Sequence, residues 1–149
     1  MDDLLNQLWA YNDWANKRLF KSLEQYGHQV PDTSLRLLSH IVNTQFIWLN
    51  RVKGQKQAVG VWDEHQLEIC KKMHERTSIA IKQEIENLSN NLHQRIDYTN
   101  TQGVEYHNSL QDVLLHIFNH GTYHRAQVAQ NMRRNGLEPV NTDYIAFVR

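Results

Sequence analysis

The chain has 149 residues, of which 40% are hydrophobic and 21% are charged, a composition too apolar for intrinsic disorder. Its 16 basic and 16 acidic side chains cancel, which argues against a nucleic-acid-binding protein that relies on positive charge and against a polybasic membrane-surface protein. A chain of this length is expected to form a single domain, spanning residues 1–149.

Two prolines and six glycines are few for this length, which favours long helices. The first predicted helix covers about residues 2–25, because apolar side chains recur there at spacings of three and four. A second helix is predicted from the N-cap residues 32–34 to about residue 53, and Gly54 opens a loop that reaches Trp62. A third helix is predicted from about residue 63 to residue 92.

The hydrophobic period then changes to strict alternation at residues 95–99 and 104–107, with Gly103 between them, which predicts a small β-hairpin. A fourth helix is predicted after Asn108 or Ser109 and ends before Gly136. The apolar tail at residues 143–148 is expected to dock on the helices. Together these elements predict an all-α fold, a four-helix bundle with a short hairpin before the last long helix.

Three of the nine histidines, His116, His120 and His124, follow one another at intervals of four on the fourth helix. On a helical wheel with about 100° per residue, His120 and His124 lie on the buried face, whereas His116 lies on its flank. Two imidazoles four residues apart can share one metal ion. The spacing alone leaves two interpretations open, a metal site or a pair of hydrogen-bonded core histidines.

A two-histidine site needs a further ligand, and His40 on the second helix is the candidate by position. Its place at the edge of the apolar face also suits a boundary residue. His65 and His74 lie among charged residues of the third predicted helix, where a solvated face explains them. Gly121 either permits a close approach of another helix or a ligand, or is simply tolerated.

Three segments of the chain resemble the DinB-like (damage-inducible) family, which shares a four-helix bundle with related thiol-dependent S-transferases. Residues 11–19 contain the aromatic-Asn-x-Trp-Ala-Asn pattern, and residues 38–41 read Leu-Ser-His-Ile, with Trp-Leu following at 48–49. Residues 119–127 are similar to the family's Asn-His-x-x-x-His-Arg-Gly-Gln, the most specific of the three. Ala126 departs from the usual glycine of that segment.

The resemblance implies a metal site formed by His40, His120 and His124, with no ligand role for His116. It also implies a homodimer and a cytoplasmic protein. Trp9 and Trp14 lie off the main face of the first helix, where they suit either a subunit contact or the edge of the core.

Three neutral imidazoles leave open coordination positions on a divalent ion. Zinc and nickel both suit such a set of ligands. Such a site can activate water for hydrolysis, or bind a low-molecular-weight thiol for transfer to a small electrophilic substrate, as in the related S-transferases. Asn119 and Gln127 are candidates for orienting the ligands. Arg125 suits either an anionic substrate or, as the simpler interpretation, a surface ion pair. Gly121 and the neighbouring Thr122 are expected to leave room for a small substrate.

Two other functions remain open at this stage. One is a non-catalytic metal-binding or stress-response protein, and the other is a helical interaction module with buried histidines and no metal. The single cysteine, Cys70, excludes an intramolecular disulfide and suits a reducing, cytoplasmic setting. The amino-terminal residues are acidic where a signal peptide would be basic, and no apolar run is long enough to span a membrane.

Overall fold

The computed structural model describes residues 2–87 and 89–149. Its four long helices are α1 (Asp2–Tyr26), α2 (Asp32–Val52), α3 (Leu67–Asn87) and α4 (Leu110–Arg134). An antiparallel hairpin of β1 (Arg95–Thr99) and β2 (Glu105–Ser109) precedes α4, and the short helix α5 (Tyr144–Val148) follows it. The predicted four-helix bundle with a hairpin before the last long helix is confirmed.

The third helix is shorter at both ends than the sequence predicted. Residues ahead of Leu67 are held against α2 instead, because Asn43 Nδ2 donates to the Asp63 carbonyl at 2.8 Å and the Ser39 hydroxyl accepts from the His65 amide at 3.0 Å. At the other end α3 stops at Asn87, and a 3₁₀ turn covers Ser89–Asn91, so the prediction of a helix to residue 92 is wrong. Leu88 lies outside the described residues.

A local sequence signal sets the start of α4, and contacts with α1 hold the tail. The Ser109 hydroxyl caps α4 by accepting from the Asp112 amide at 3.1 Å. The tail docks as expected, since the Tyr11 hydroxyl donates to the Thr142 carbonyl at 2.7 Å and the Tyr11 ring lies 5.8 Å from that of Phe147.

Trp9 and Trp14 of α1 lie at the edge of the core and pack against other parts of the same chain. The Trp9 indole N–H donates to the Ser78 carbonyl at 2.8 Å, and the rings of Trp14 and Phe147 lie 5.5 Å apart. Within the described chain, both side chains therefore have contacts in the same subunit that suit the edge of the core.

The core consists of two hydrophobic clusters along the bundle, separated by buried polar side chains. One cluster lies at the hairpin end and contains Leu5, Ile85 and Leu114, and the other surrounds Leu23 and Met132. Among the described helices, none combines the length and the apolar character needed to cross a bilayer.

His74 is one of the buried polar side chains between the clusters. Its side chain is 0% exposed and its Nε2 lies 3.0 Å from Asp13 Oδ1. His65 is half-buried, with its Nε2 2.7 Å from Asn43 Oδ1. The interpretation of both as residues of a solvated face is wrong, because polar partners on other helices compensate for the loss of water.

Candidate metal centre

Three histidines from two helices converge on one point of the structure. His40 comes from α2, and His120 and His124 come from successive turns of α4. One ring nitrogen from each lies within 4.8 Å of the other two. The ring centroids are 4.3–4.8 Å apart, and the Nε2 atoms of His40 and His120 are separated by 3.1 Å.

The outer nitrogens of two of these rings are anchored by oxygen acceptors. His40 Nδ1 donates to the Val61 carbonyl at 2.9 Å, and His124 Nδ1 donates to Gln127 Oε1 at 2.7 Å. A nitrogen that donates carries the proton of the neutral ring, so Nε2 of each ring keeps its lone pair. This is the tautomer that a metal ligand needs, with its orientation set by a hydrogen bond.

Burial keeps the rings of His40 and His120 neutral. For His120, burial first and then the neighbouring His124, His40 and His116 together lower the pKa to about 3. The pKa of His40 is also lowered, mainly by burial, although its bond to the Val61 carbonyl acts in the opposite direction. Neutral imidazoles are the form that binds metal, so these two rings are competent ligands at pH 7.

The spacing of the nitrogens suits a shared divalent ion. Two nitrogens bound to one ion at about 2.0–2.1 Å, in tetrahedral or octahedral geometry, lie about 2.9–3.4 Å from each other. The observed 3.1 Å between His40 and His120 falls in that range. Three imidazoles without a carboxylate or thiolate suit zinc and nickel.

Exposed aromatic side chains flank the cluster on two sides. Trp62 is 45% exposed and stacks on His40, with ring centroids 3.9 Å apart and an angle of 9° between the rings. Tyr123 is 61% exposed, and its ring lies 4.9 Å from that of His124. The Arg36 guanidinium lies 4.8 Å from the centre of the Trp62 ring.

Sequence reasoning missed Val61 and Trp62. They belong to the irregular segment between α2 and α3, which has no hydrophobic period that could assign them to a site. Only the docking of this segment on α2 brings the Val61 carbonyl and the Trp62 ring to His40.

His116 lies beside the three-histidine group without joining it. Its ring is exposed, with its centroid 5.6 Å from that of His120 and 5.1 Å from that of Trp48. It lines a cavity of about 270 Å³ together with Trp48 and Tyr98. This placement agrees with its position on the flank of the helical wheel.

The residues expected to support the ligands occupy different environments. Gln127 contacts one of the three histidines directly, at His124 Nδ1. Asn119 is exposed on the outer face of α4. Arg125 is only 3% exposed, and it donates to Asn16 Oδ1 at 2.9 Å and to other neutral oxygens. The interpretation of Arg125 as part of a surface ion pair is therefore wrong.

Gly121 permits the close approach that places Arg125 inside the bundle. A Cβ atom at this position would lie 2.8 Å from Asn12 Oδ1 and 2.9 Å from Arg125 Nη1. Of the interpretations left open for Gly121, the close approach of another helix agrees with these distances. These two side chains fill the space beside Gly121 and leave no room there for a substrate, whereas Thr122 lines a cavity of about 490 Å³ beside Arg125.

Comparison with known proteins identifies the family of the chain. A family model described as "DinB family" matches residues 1–149. The chain is 24% identical over 166 aligned residues to the protein named "Protein DinB" of Bacillus subtilis (strain 168), with 97% of this chain and 93% of that protein covered. The whole-chain match to the family model shows that the chain belongs to the DinB family.

Proposed function

We propose that this DinB-family protein is a metal-dependent enzyme that binds one divalent ion, zinc or nickel, through His40, His120 and His124. Its reaction is the transfer of a low-molecular-weight thiol to a small electrophile, or the hydrolysis of a small ester or amide. The observation that carries the proposal is the convergence of three imidazole nitrogens, with the outer nitrogens of His40 and His124 hydrogen-bonded.

The number and type of ligands favour catalysis over a structural role. Structural zinc sites are closed by four protein ligands, whereas catalytic sites use three and keep a position for water or substrate. A divalent ion in such a site acidifies the water or thiol that it binds. The hydrogen bonds from His40 and His124 hold two ligands in place, so that little reorganisation accompanies binding.

The surroundings of the cluster suit a small substrate with an apolar part. Trp62 and Tyr123 offer exposed rings directly beside His40 and His124. Flat or apolar groups pack favourably on such rings. Arg36 adds a positive charge next to Trp62, which favours an anionic partner such as a thiol that carries a carboxylate.

Metal content is the first test. Untagged protein is purified and analysed for its elements, and we expect about one divalent ion per chain, as one three-ligand site implies. His120→Ala should lose the ion. His107→Ala is the matched control, because His107 is exposed on β2, away from the cluster. Protein without any bound metal would favour the interaction module instead.

Turnover is the second test. Metal-loaded and metal-stripped protein are assayed with cellular thiols and a haloarene, and with small esters and amides. We expect activity only in the loaded protein, with loss on chelation and in the His124→Ala variant, and no loss in His107→Ala. Equal results for loaded and stripped protein on every substrate would favour a non-catalytic metal-binding or stress-response protein.

The homodimer and the cytoplasmic location implied by the family resemblance stay predictions. Sedimentation velocity of the purified protein tests the first, with a mass of two chains of 17.7 kDa as the expected result.

A further inference from the structure

A layer of buried polar side chains crosses the bundle between its two hydrophobic clusters. We call it the polar layer, and it consists of Asn12, Asp13, Asn16, Gln45, His74, Thr77 and Arg125. Apart from Asp13, each of these side chains is no more than 3% exposed. All four long helices contribute to it.

The first half of the polar layer joins α4 to α2 through α1. Arg125 Nη1 donates to Asn12 Oδ1 at 3.1 Å and to Asn16 Oδ1 at 2.9 Å. The amide nitrogens of the same two asparagines donate to Gln45 Oε1 at 3.1 and 3.2 Å. Each asparagine therefore bridges a residue of α2 and a residue of α4.

The second half joins α2 to α3 and returns to α1. Gln45 Nε2 donates to Thr77 Oγ1 at 2.8 Å and to His74 Nδ1 at 3.1 Å. Because His74 Nδ1 accepts, Nε2 of the neutral ring carries the proton and donates to Asp13 Oδ1 at 3.0 Å. The hydrogen bonds thus form a continuous chain in which each group donates to the next, from the Arg125 cation to the Asp13 carboxylate.

The polar layer lies next to both parts of the candidate metal site. Arg125 directly follows His124 on α4, and Gln45 is five residues after His40, about 7–8 Å along α2. Metal ligands must be placed to within about 0.2 Å, and here they come from two separate helices. The separation of α2 and α4 therefore determines whether His40 reaches the same ion as His120 and His124.

We infer that the polar layer positions the metal site, by setting the distance between α2 and α4 through the bridging asparagines. The inference rests on the proposed binding of a divalent ion. Directional hydrogen bonds specify the relative placement of helices more strictly than hydrophobic packing alone, and each side chain of the polar layer makes at least one, although the buried Arg125 Nε has no acceptor among the described residues. Asn12, Asn16 and Gln45 are thus positioning residues, since none of the hydrogen bonds given above joins them to the three histidines of the candidate metal site.

The test compares metal binding with stability. Asn16→Leu keeps the number and branching of the side-chain heavy atoms and removes one of the two bridges between Gln45 and Arg125. Ile85→Val and Ile85→Ala are the controls, because Ile85 is buried on α3 in the hairpin-end cluster. Urea unfolding measures the stability of all three variants, and the losses in the two controls are chosen to bracket the loss in Asn16→Leu. Cobalt(II) is the probe, measured by its affinity and by its visible absorption spectrum, which reports ligand geometry.

We expect Asn16→Leu to bind cobalt(II) about tenfold more weakly, with a shifted spectrum, as is typical when the support of metal ligands is removed. Both Ile85 variants should keep the wild-type affinity and spectrum. Thr77→Val removes the hydroxyl that accepts from Gln45 and should shift the spectrum in the same direction. It keeps the test decisive if Asn16→Leu does not fold.

Two results would overturn the inference while leaving the proposed function intact. One is that those variants of Asn16 and Thr77 that fold bind cobalt(II) with the wild-type affinity and spectrum. The other is that the Ile85 controls change in affinity and spectrum as much as these variants do. Wild-type protein that binds no cobalt(II) would instead overturn the proposed metal site, and the positioning role with it.

Discussion

Replacing His124 with alanine should abolish the stabilisation of the protein by zinc or nickel. His124 is buried, with its ring 4.5 Å from that of His40 and 4.3 Å from that of His120. Its loss leaves two imidazoles for the ion. An ion that binds only the folded state raises the free energy of unfolding, and the increase grows with the logarithm of the affinity. The weaker binding that follows from the loss of His124 therefore appears as a smaller increase in thermal stability.

The expected magnitude follows from the size of the chain. An ion at one hundred times its Kd adds about 2.7 kcal/mol to the free energy of unfolding. Each kcal/mol shifts the Tm of a chain of about 150 residues by about 2–4 °C, so wild-type protein should gain about 5–10 °C. A hundredfold weaker site at the same ion concentration leaves about 0.4 kcal/mol, or about 1 °C.

Differential scanning calorimetry measures this effect. Each variant is stripped with a chelator and compared with and without the ion, because loss of a buried ring also changes the stability of the metal-free protein. His116→Ala is the control, since its ring is exposed and lies outside the three-histidine group, and it should keep the full shift. A shift of wild-type size in His124→Ala, or an equal loss in His116→Ala, would refute the ligand assignment.

The metal-free protein should lose stability as the pH falls from about 7 to 4, measured by urea unfolding. The pKa of His120 is about 3 in the fold against about 6.5 in an unfolded chain, so below pH 6.5 the unfolded state binds a proton that the folded state does not. Below about pH 4, Asp13 adds to the loss. Burial alone would raise its pKa, but hydrogen bonds from His74, Lys17 and Ser78 hold it well below the usual range. A level urea midpoint across pH 7 to 4 would contradict this. Gly121→Ala should destabilise the protein by about 1 kcal/mol. The higher helix propensity of alanine stabilises the fold by about 1 kcal/mol. The new Cβ displaces the hydrogen bond from Arg125 to Asn12, and the loss of such a charge-assisted bond destabilises the fold by about 1.5–3 kcal/mol. A more stable variant would show that the space beside Gly121 is not filled as described.

Local sequence patterns were sufficient for α1, α2 and α4, for the hairpin and for placing two histidines on one face of α4. The apolar spacing in α1, α2 and α4, the Ser109 cap and the alternation around Gly103 each depend on residues a few positions apart. The common face of His120 and His124 follows from the same short-range geometry, because residues four apart on any helix point in similar directions. These features could be predicted without knowing how the chain packs.

The third helix shows where local patterns fail. Its predicted start, near residue 63, has residues that suit a helix N-terminus, but hydrogen bonds to Asn43 and Ser39 hold this segment against α2. Those partners lie about twenty residues earlier in the chain. A pattern of residues at the start of a helix carries no information about such distant partners.

Only the tertiary structure decided which polar residues are buried and which of them meet. His40 comes within 3.1 Å of His120 across 80 positions of sequence, and the wheel alone left it at the edge of its helix. His74 and Arg125 have charged or polar neighbours along the chain, which suggested a solvated surface, yet both are enclosed. Whether a polar side chain can be buried depends on partners that replace water. For these residues the partners lie on other helices, so the outcome is a property of the packed bundle and of no single segment.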